Sequence, residues 1–413
     1  MKSFRIVILG GGMVAGYAAK EFVAQSGKKG ELAIVTVENA LPYERPPLSK
    51  GFLAGKEEAS HLQISDAAFY RQHGIAIYRN FPVRKVDLRG RRLQSSSGKV
   101  IGFDKLLLAT GSTVRRLKVP GANRSEIFYL RQIEDSQAIQ AQMKRDKRAV
   151  VIGSGFIGME VASVLASHGV RTTMVFPDDR VWKRLFTPPV SNFFERHFVD
   201  RGVTFVKKEK VVAFAHKNRE CQVVLASGNE VPTDFIVAGI GVTPAVELFQ
   251  RTPLETDDGI KVNEFLETGV PGVWAAGDIA NYPDQIFHRR RRVEHWDNAV
   301  EQGRVAMRNV MGKLQPFIHV PYFFSDVFDL SYEFWGDADG HDQVVYRGDM
   351  EEKQLSVWWL KNQKLCAALI MNRPEEEREF AARWILRRPR LNPKALQNAR
   401  NLKSLDTTFG REK

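Results

Sequence analysis

Residues 8–19 read ILGGGMVAGYAA and residues 151–162 read VIGSGFIGMEVA. In each stretch an apolar run that reads as a buried parallel strand, Ile6–Leu9 or Ala149–Ile152, meets closely spaced glycines. A set at helical spacing follows: Val14, Ala18 and Phe22 in the first, Ile157, Val161 and Leu165 in the second. Gly10 and Gly12, like Gly153 and Gly155, allow a tight turn and a close backbone approach to a pyrophosphate. Ala15 or Gly16, and Gly158, let the helix pack on its sheet. The helix N-terminus then offers free N–H groups and a positive dipole end to the anion. A lone glycine triplet often serves sterics only. Two copies, each between a strand and a helix, are the layout of a protein that holds two dinucleotides.

The chain has 413 residues, 43% of them apolar, enough for two or three packed domains. No apolar run approaches the length that spans a bilayer, and the first strand begins almost at Met1, so the expected location is cytoplasmic, away from any membrane. The formal charge of +13 implies a basic surface, with Arg289 to Arg292 and the Arg387 to Lys413 tail as concentrated sources. Such a surface is either simply solvated or steers an acidic protein or a small anion. Nucleic acid ranks below these, because basic charge alone gives only sequence-independent binding.

Strand and helix signals alternate from Phe4 to about Val37, followed by the proline-rich loop LPYERPPLSKG and a short helical piece ending near Gln72. Strand-like segments follow at Ile75 to Tyr78 and Val83 to Leu88, then the buried-looking KLLLATG. A helix from Glu134 to Met143 precedes the second glycine turn, and a helical stretch from Pro188 to Asp200 follows it. Near AGIGVTP the chain returns to the first domain, and from Val320 its texture shifts to aromatics, short strands and a basic helix from Glu375 to Leu386. The expected architecture is α/β: two Rossmann-like dinucleotide-binding domains, the first discontinuous (1–115 and 243–320) and the second at 116–242. A C-terminal α+β domain with a basic tail occupies 321–413.

The strings GGGMVAGYAAKEF, PYERPPLSKG, KLLLATGS, GSGFIGMEVA, VWAAGDIA, RRVEH and PYFFSDVFDL resemble a known family. It comprises the FAD-dependent pyridine nucleotide reductases of the ferredoxin reductase, monodehydroascorbate reductase and apoptosis-inducing factor type, and the resemblance covers about Lys2 to Asp337. It implies that the first turn, with Gly10, Gly12, Met13, Val14 and Ala15, binds FAD. Glu38 would then accept hydrogen bonds from the adenosine ribose, and Arg45 and Lys50 would lie along the cofactor. Val83 would meet the adenine, Ala109, Thr110 and Gly111 would pass close to FAD, and Asp278 would bond its ribityl or pyrophosphate region. By the same resemblance Arg131 would be a further phosphate or flavin contact, Phe324 would pack near the flavin, and Trp296 would be either a flavin neighbour or a core tryptophan.

The second turn, with Gly153, Gly155, Phe156, Ile157 and Gly158, would take the nicotinamide cofactor, completed by Gly241, Glu294 and His295. Asp178 falls 20 residues after Gly158, placed for ribose hydroxyls and repulsive toward a 2′-phosphate. Its nearby arginine, Arg184, matches the monodehydroascorbate reductase pattern. NADH is therefore the expected cofactor, with NADPH left open by Arg180, Lys183 and Arg184. The resemblance also pairs Lys50 with Glu160, setting a cation where the flavin gains negative charge. No metal site is expected.

Cys221 and Cys366 are the only cysteines, each in a strand-like apolar setting, so no CxxC or CxxxxC relay can form. Electrons arriving as hydride from the nicotinamide must leave the flavin directly for an acceptor. The expected acceptor is an acidic carrier of the ferredoxin type, or else a small acceptor. At the positions where plant monodehydroascorbate reductases hold the ascorbate radical with arginine and tyrosine, this chain has Val300, Phe324 and Asp326. Monodehydroascorbate or quinone reduction is the alternative, and an NADH-gated binding protein like apoptosis-inducing factor is the alternative of a different class. A homodimer is left open.

Overall fold

The computed structural model describes residues 1–217 and 220–406; the end of the basic tail lies outside them. The chain packs as two compact units. One comprises Met1–Pro46, Ala59–Thr113 and Val242–Pro321; the other comprises Pro47–Glu58, Val114–Gly241 and the chain from Tyr322 onward.

In the first unit, strand Lys2–Leu9 lies between Leu32–Val35 and Val100–Leu108, parallel to both. Ala76–Tyr78 extends one side and Val273–Ala275 joins Val100–Leu108, again in parallel. Residues 6–9 and 32–35 are buried without alternation, as a parallel strand covered on both faces requires. An antiparallel pair, Arg92–Ser95 and Val83–Asp87, completes the sheet. Helix Met13–Ala24 follows the first strand and packs against helix Trp296–Val310, whose Gly303 lies under the Val14 backbone.

The second unit repeats that grammar. Strand Arg148–Ile152 lies between Arg171–Phe176 and Phe235–Ala238, with Thr204–Lys207 and Ile127–Phe128 at the edges, all parallel. Helix Phe156–Ser167 follows the first of these strands. Helix Pro188–Val199 starts on a proline, whose missing N–H costs nothing in a first turn. A three-stranded antiparallel meander, Val211–Lys217, Glu220–Leu225 and Glu230–Thr233, is inserted before the last parallel strand. The expected helix Glu134 to Met143 is Ile133–Gln140, because Asp135 bonds back to the backbone N–H of Gln132 and fixes its start.

From Tyr322 the chain forms a five-stranded antiparallel sheet in the order Tyr322–Val327, Leu330–Gly336, Lys364–Met371, Gln354–Lys361, Gln343–Asp349. Helix Glu375–Arg387 covers one face, its Trp384 packing on Trp358, while Trp359 packs against Phe334; all three tryptophans are almost completely buried. Each such side chain contributes roughly 2–3 kcal/mol of burial. The fold is thus α/β with two Rossmann-like sheets and a sheet-rich C-terminal region. Among the described residues no helix is long and apolar enough to cross a membrane.

Candidate functional site

Gly10 has φ +133°, and a Cβ there would stand 2.1 Å from the Ala109 carbonyl oxygen. Gly153 has φ +112°, and its Cβ would stand 2.3 Å from the Gly239 carbonyl. These glycines are required by packing. The next glycine of each turn is different: a Cβ on Gly12 meets nothing closer than Arg45 Nη2 at 3.6 Å, and one on Gly155 meets nothing within 4 Å. Both cap the following helix from extended backbone. Open space beside the orphan N–H groups of a helix start suits a pyrophosphate, so both turns fit a dinucleotide. Met13, Val14 and Ala15 bury their side chains in the core, leaving only their backbone to face a ligand.

In the first unit the predicted cofactor residues gather in two groups. Glu38 follows strand Leu32–Val35; its carboxylate accepts from Arg45 Nη2 at 2.6 Å and from the Tyr43 hydroxyl at 2.8 Å. Arg45 also donates to that hydroxyl at 2.7 Å and stacks over the Tyr43 ring, so acid, ring and guanidinium form one rigid cluster. Asp278 accepts from Ser112 Oγ at 2.6 Å, while its carbonyl accepts from Arg292, which also pairs with Glu294 and Asp258. Thr110 Oγ1 donates to the Ala245 carbonyl, and Gly111 adopts φ +67°. Val83 is half-buried against the main core. His295 stands immediately before helix Trp296–Val310; burial pushes its imidazole down to about 4, with Arg291 adding to the effect.

Glu44 is a participant the sequence reading missed. Its carboxylate accepts from the Tyr17 hydroxyl at 2.6 Å and from the Trp296 indole N–H, pinning the proline-rich loop to two helices. Burial, helped by Glu44, raises the Tyr17 hydroxyl beyond any physiological titration.

In the second unit, Lys50 and Glu160 meet as expected. Lys50 Nζ lies 3.4 Å from Glu160 Oε1, 3.4 Å from Asp326 Oδ2 and 4.3 Å from the centre of the Phe324 ring. Glu160 is almost fully buried, and its two oxygens accept from the hydroxyls of Ser49 and Ser325, the latter at 2.6 Å. Burial pushes this carboxyl above the ordinary range, while Lys50 and the two serines pull it back. Neither serine was anticipated. Ser325 is legible only through strand alternation, which turns it inward between Phe324 and Asp326.

Phe156 packs edge-on to Phe323 at 4.4 Å, and Ile157 is left exposed at the helix start. Asp178 is half-buried just past strand Arg171–Phe176, and Arg184 is exposed. Asp179 engages Lys183 at 3.1 Å and Arg180 at 3.5 Å. Gly241 takes φ +97° and accepts the Arg115 N–H through its carbonyl; Arg131 lies beside the start of helix Ile133–Gln140, its backbone N–H on Asp135. Cys221 and Cys366 are free and buried, and burial raises both thiols, Cys366 to about 11.

The two kinds of glycine separate by mutation. Gly153→Ala should prevent the second unit from folding stably, whereas Gly155→Ala, in allowed backbone and open space, should keep the melting temperature within about 2 °C and raise the KM for nicotinamide nucleotide at least about tenfold. Thermal melts and steady-state kinetics on the two variants check this; equal KM for Gly155→Ala and the parent would contradict it.

Residues 4–303 match the model of the pyridine nucleotide-disulphide oxidoreductase family, and residues 322–405 match the reductase C-terminal family. The chain is 36% identical to monodehydroascorbate reductase of Solanum lycopersicum over 407 residues, covering 92% of this chain and 94% of that protein. Among solved structures it is similar to the ferredoxin reductase for the CYP199A2 system of Rhodopseudomonas palustris, with TM-score 0.92, 31% identity and coverage of 98% and 99%. It is also similar to the covalent putidaredoxin reductase–putidaredoxin complex, with TM-score 0.91, 30% identity and 96% coverage of both chains. With both glycine turns fitting dinucleotides and these matches spanning nearly the whole length, the chain belongs to the pyridine nucleotide-disulphide oxidoreductase family, as an FAD-dependent reductase that uses a nicotinamide nucleotide.

Proposed function

We propose that this reductase takes electrons from NADH and delivers them directly to a one-electron carrier protein of the ferredoxin type. The observation that carries the reading is the setting of Lys50, held against Phe324 between Glu160 and Asp326. Positions 300, 324 and 326 carry valine, phenylalanine and aspartate in place of arginine and tyrosine, and Val300 is an apolar core residue of its helix. The ferredoxin reductase and putidaredoxin complex among its neighbours support a small electron carrier.

FAD, when bound, supplies a ring that accepts electrons in a pair and releases them singly. The chain's own residues do the rest. The Gly12 turn and its helix N-terminus would hold the pyrophosphate, the Glu38–Arg45–Tyr43 cluster would hold the adenosine side, and Asp278, steadied by Ser112, would bond further along the cofactor. Lys50 would bring a fixed positive charge to the ring. Glu160 orients that charge, and the hydroxyls of Ser49 and Ser325 keep the Glu160 carboxyl from turning away. Both cysteines are inert strand residues, which supports a direct exit for the electrons.

Asp178 supports NADH as the donor, because a carboxylate suits ribose hydroxyls and repels a 2′-phosphate. Arg180 and Lys183, the cations that would welcome that phosphate, are engaged by Asp179. We expect kcat/KM for NADH to exceed that for NADPH at least about tenfold, and Asp178→Ala to narrow the gap. Steady-state comparison of both nucleotides decides it; an NADPH preference would reverse this part of the reading.

A second reading, reduction of monodehydroascorbate or a quinone, is favoured by the name of the tomato relative at 36% identity. A redox-gated binding protein is the reading of a different class. Stopped-flow reoxidation of the NADH-reduced protein by candidate acceptors separates the three. For an acidic carrier, the rate should fall as salt is raised from low to about 0.5 M, since a +13 chain attracts it at long range. Fast reoxidation only by the organic radical or quinone would favour the second reading. A reduced complex indifferent to every acceptor would favour the third.

Lys50→Ala should slow reduction by NADH at least about tenfold while raising the Kd for FAD by less than about threefold. Anaerobic stopped-flow reduction and FAD release measure the two. Unchanged reduction with impaired FAD retention would reduce Lys50 to a structural ion pair.

A further inference from the structure

Strand Tyr322–Val327 alternates: Phe323, Ser325 and Val327 are buried, while Tyr322, Phe324 and Asp326 point to the other side. Phe324 and Asp326 thereby meet Lys50 together. The two carboxylates on Lys50 differ in their access to water. The Glu160 side chain is 7% exposed and tied to two serines, whereas the Asp326 side chain is 47% exposed and is the outermost charge of the cluster. Of Asp326 and Lys50, the carboxylate is the more open to water, the Lys50 side chain being 15% exposed.

Resting on the reductase reading above, we propose that Asp326 selects small electron acceptors by charge. It offsets Lys50 toward solvent and disfavours anions relative to neutral and cationic acceptors. Unit charges several ångströms apart at a protein surface change local concentrations at least about tenfold, and the effect multiplies with acceptor charge. For a carrier protein the summed field of the whole chain acts before contact, so its approach is governed by long-range attraction as well.

The electron balance is simple. NADH gives up two electrons and becomes NAD⁺ with release of one proton; two ferricyanide or two hexaammineruthenium(III) ions take one electron each, while one benzoquinone takes both together with two protons. These three acceptors are anionic, cationic and neutral. The experiment measures kcat/KM of the full-length holoenzyme with each at low ionic strength, for the parent, Asp326→Asn and Asp326→Arg. The ferricyanide-to-ruthenium ratio should rise at least about tenfold in Asp326→Asn and further in Asp326→Arg, with benzoquinone between the two, and added salt should shrink the difference. Calorimetric titration of the oxidised holoenzyme with ascorbate gives a readout without turnover, and Asp326→Arg should bind this anion at least about fivefold more tightly than the parent.

Parallel changes with all three acceptors, together with equal ascorbate binding, would overturn the assignment and leave Asp326 as a structural partner of Lys50. If the parent holoenzyme reduced none of the three with NADH, the reductase reading itself would fall. Should Asp326→Arg not fold, Asp326→Asn, which keeps the side-chain volume, still decides through the acceptor ratio.

Discussion

In both Rossmann-like halves, the carbonyl oxygen just past one parallel strand occupies the place where a side chain would begin on the strand beside it. Ala109 follows Val100–Leu108 and crowds Gly10; Gly239 follows Phe235–Ala238 and crowds Gly153. Neither side of the contact can yield. The Ala109 N–H is bonded to the Leu9 carbonyl and the Gly239 N–H to the Ile152 carbonyl, each at 2.8 Å. Gly10 and Gly153 themselves donate to the carbonyls of Val35 and Val175, the last and next-to-last residues of the strands on the opposite side. Each glycine is thus locked between two neighbouring strands at the point where the chain leaves the sheet. That lock sets the direction of the next helix, and with it where the helix's free N–H groups point. The glycine turns inherit their geometry from sheet packing, with little left to side-chain choice.

This explains why the fold and its two glycine turns were legible in sequence. A glycine at positive φ between an apolar strand and a helical pattern is a local signal, and the parallel strands announce themselves as unbroken apolar runs. The pairing of Lys50 with Glu160, and the closeness of Glu38 to Arg45, involve residues singled out for a related reason, since each lies within a few positions of a string that resembles the family. What escaped was non-local. Ser49 and Ser325 are unremarkable in their own segments and matter only because they converge on one carboxylate from sequence positions far apart. Glu44 reads as a surface loop acid until Tyr17 and Trp296 arrive from two separate helices. Short elements such as Ile127–Phe128 and Pro393–Asn398 carry too few residues for a periodic signal.

The Glu160 cluster shows what those convergent hydroxyls do. A carboxylate with almost no solvent loses its hydration, and one ammonium at 3.4 Å, shared with a second carboxylate, does not fully replace it. The remaining stabilisation comes from the two serines, which cost no charge of their own. Burial still wins in direction, leaving the carboxyl raised above its ordinary range. A group balanced in this way holds the lysine firmly without cancelling its charge. Were Glu160 as exposed as Asp326, it would be easier to ionise and weaker as an anchor.

Charge acts on this molecule at two lengths. At separations comparable to the Debye length, about 8–10 Å in physiological salt, a partner senses the summed field of a chain with a net +13, and an acidic surface is favoured. At contact with Lys50, the half-exposed Asp326 carboxylate stands 3.4 Å from the ammonium, and under its proposed role the preference inverts. On the proposed readings, a macromolecular carrier would be selected by the first field and a small molecule by the second. The two preferences coexist because they operate on acceptors of different size. A basic protein can therefore draw in an acidic carrier while turning small anions away from the lysine.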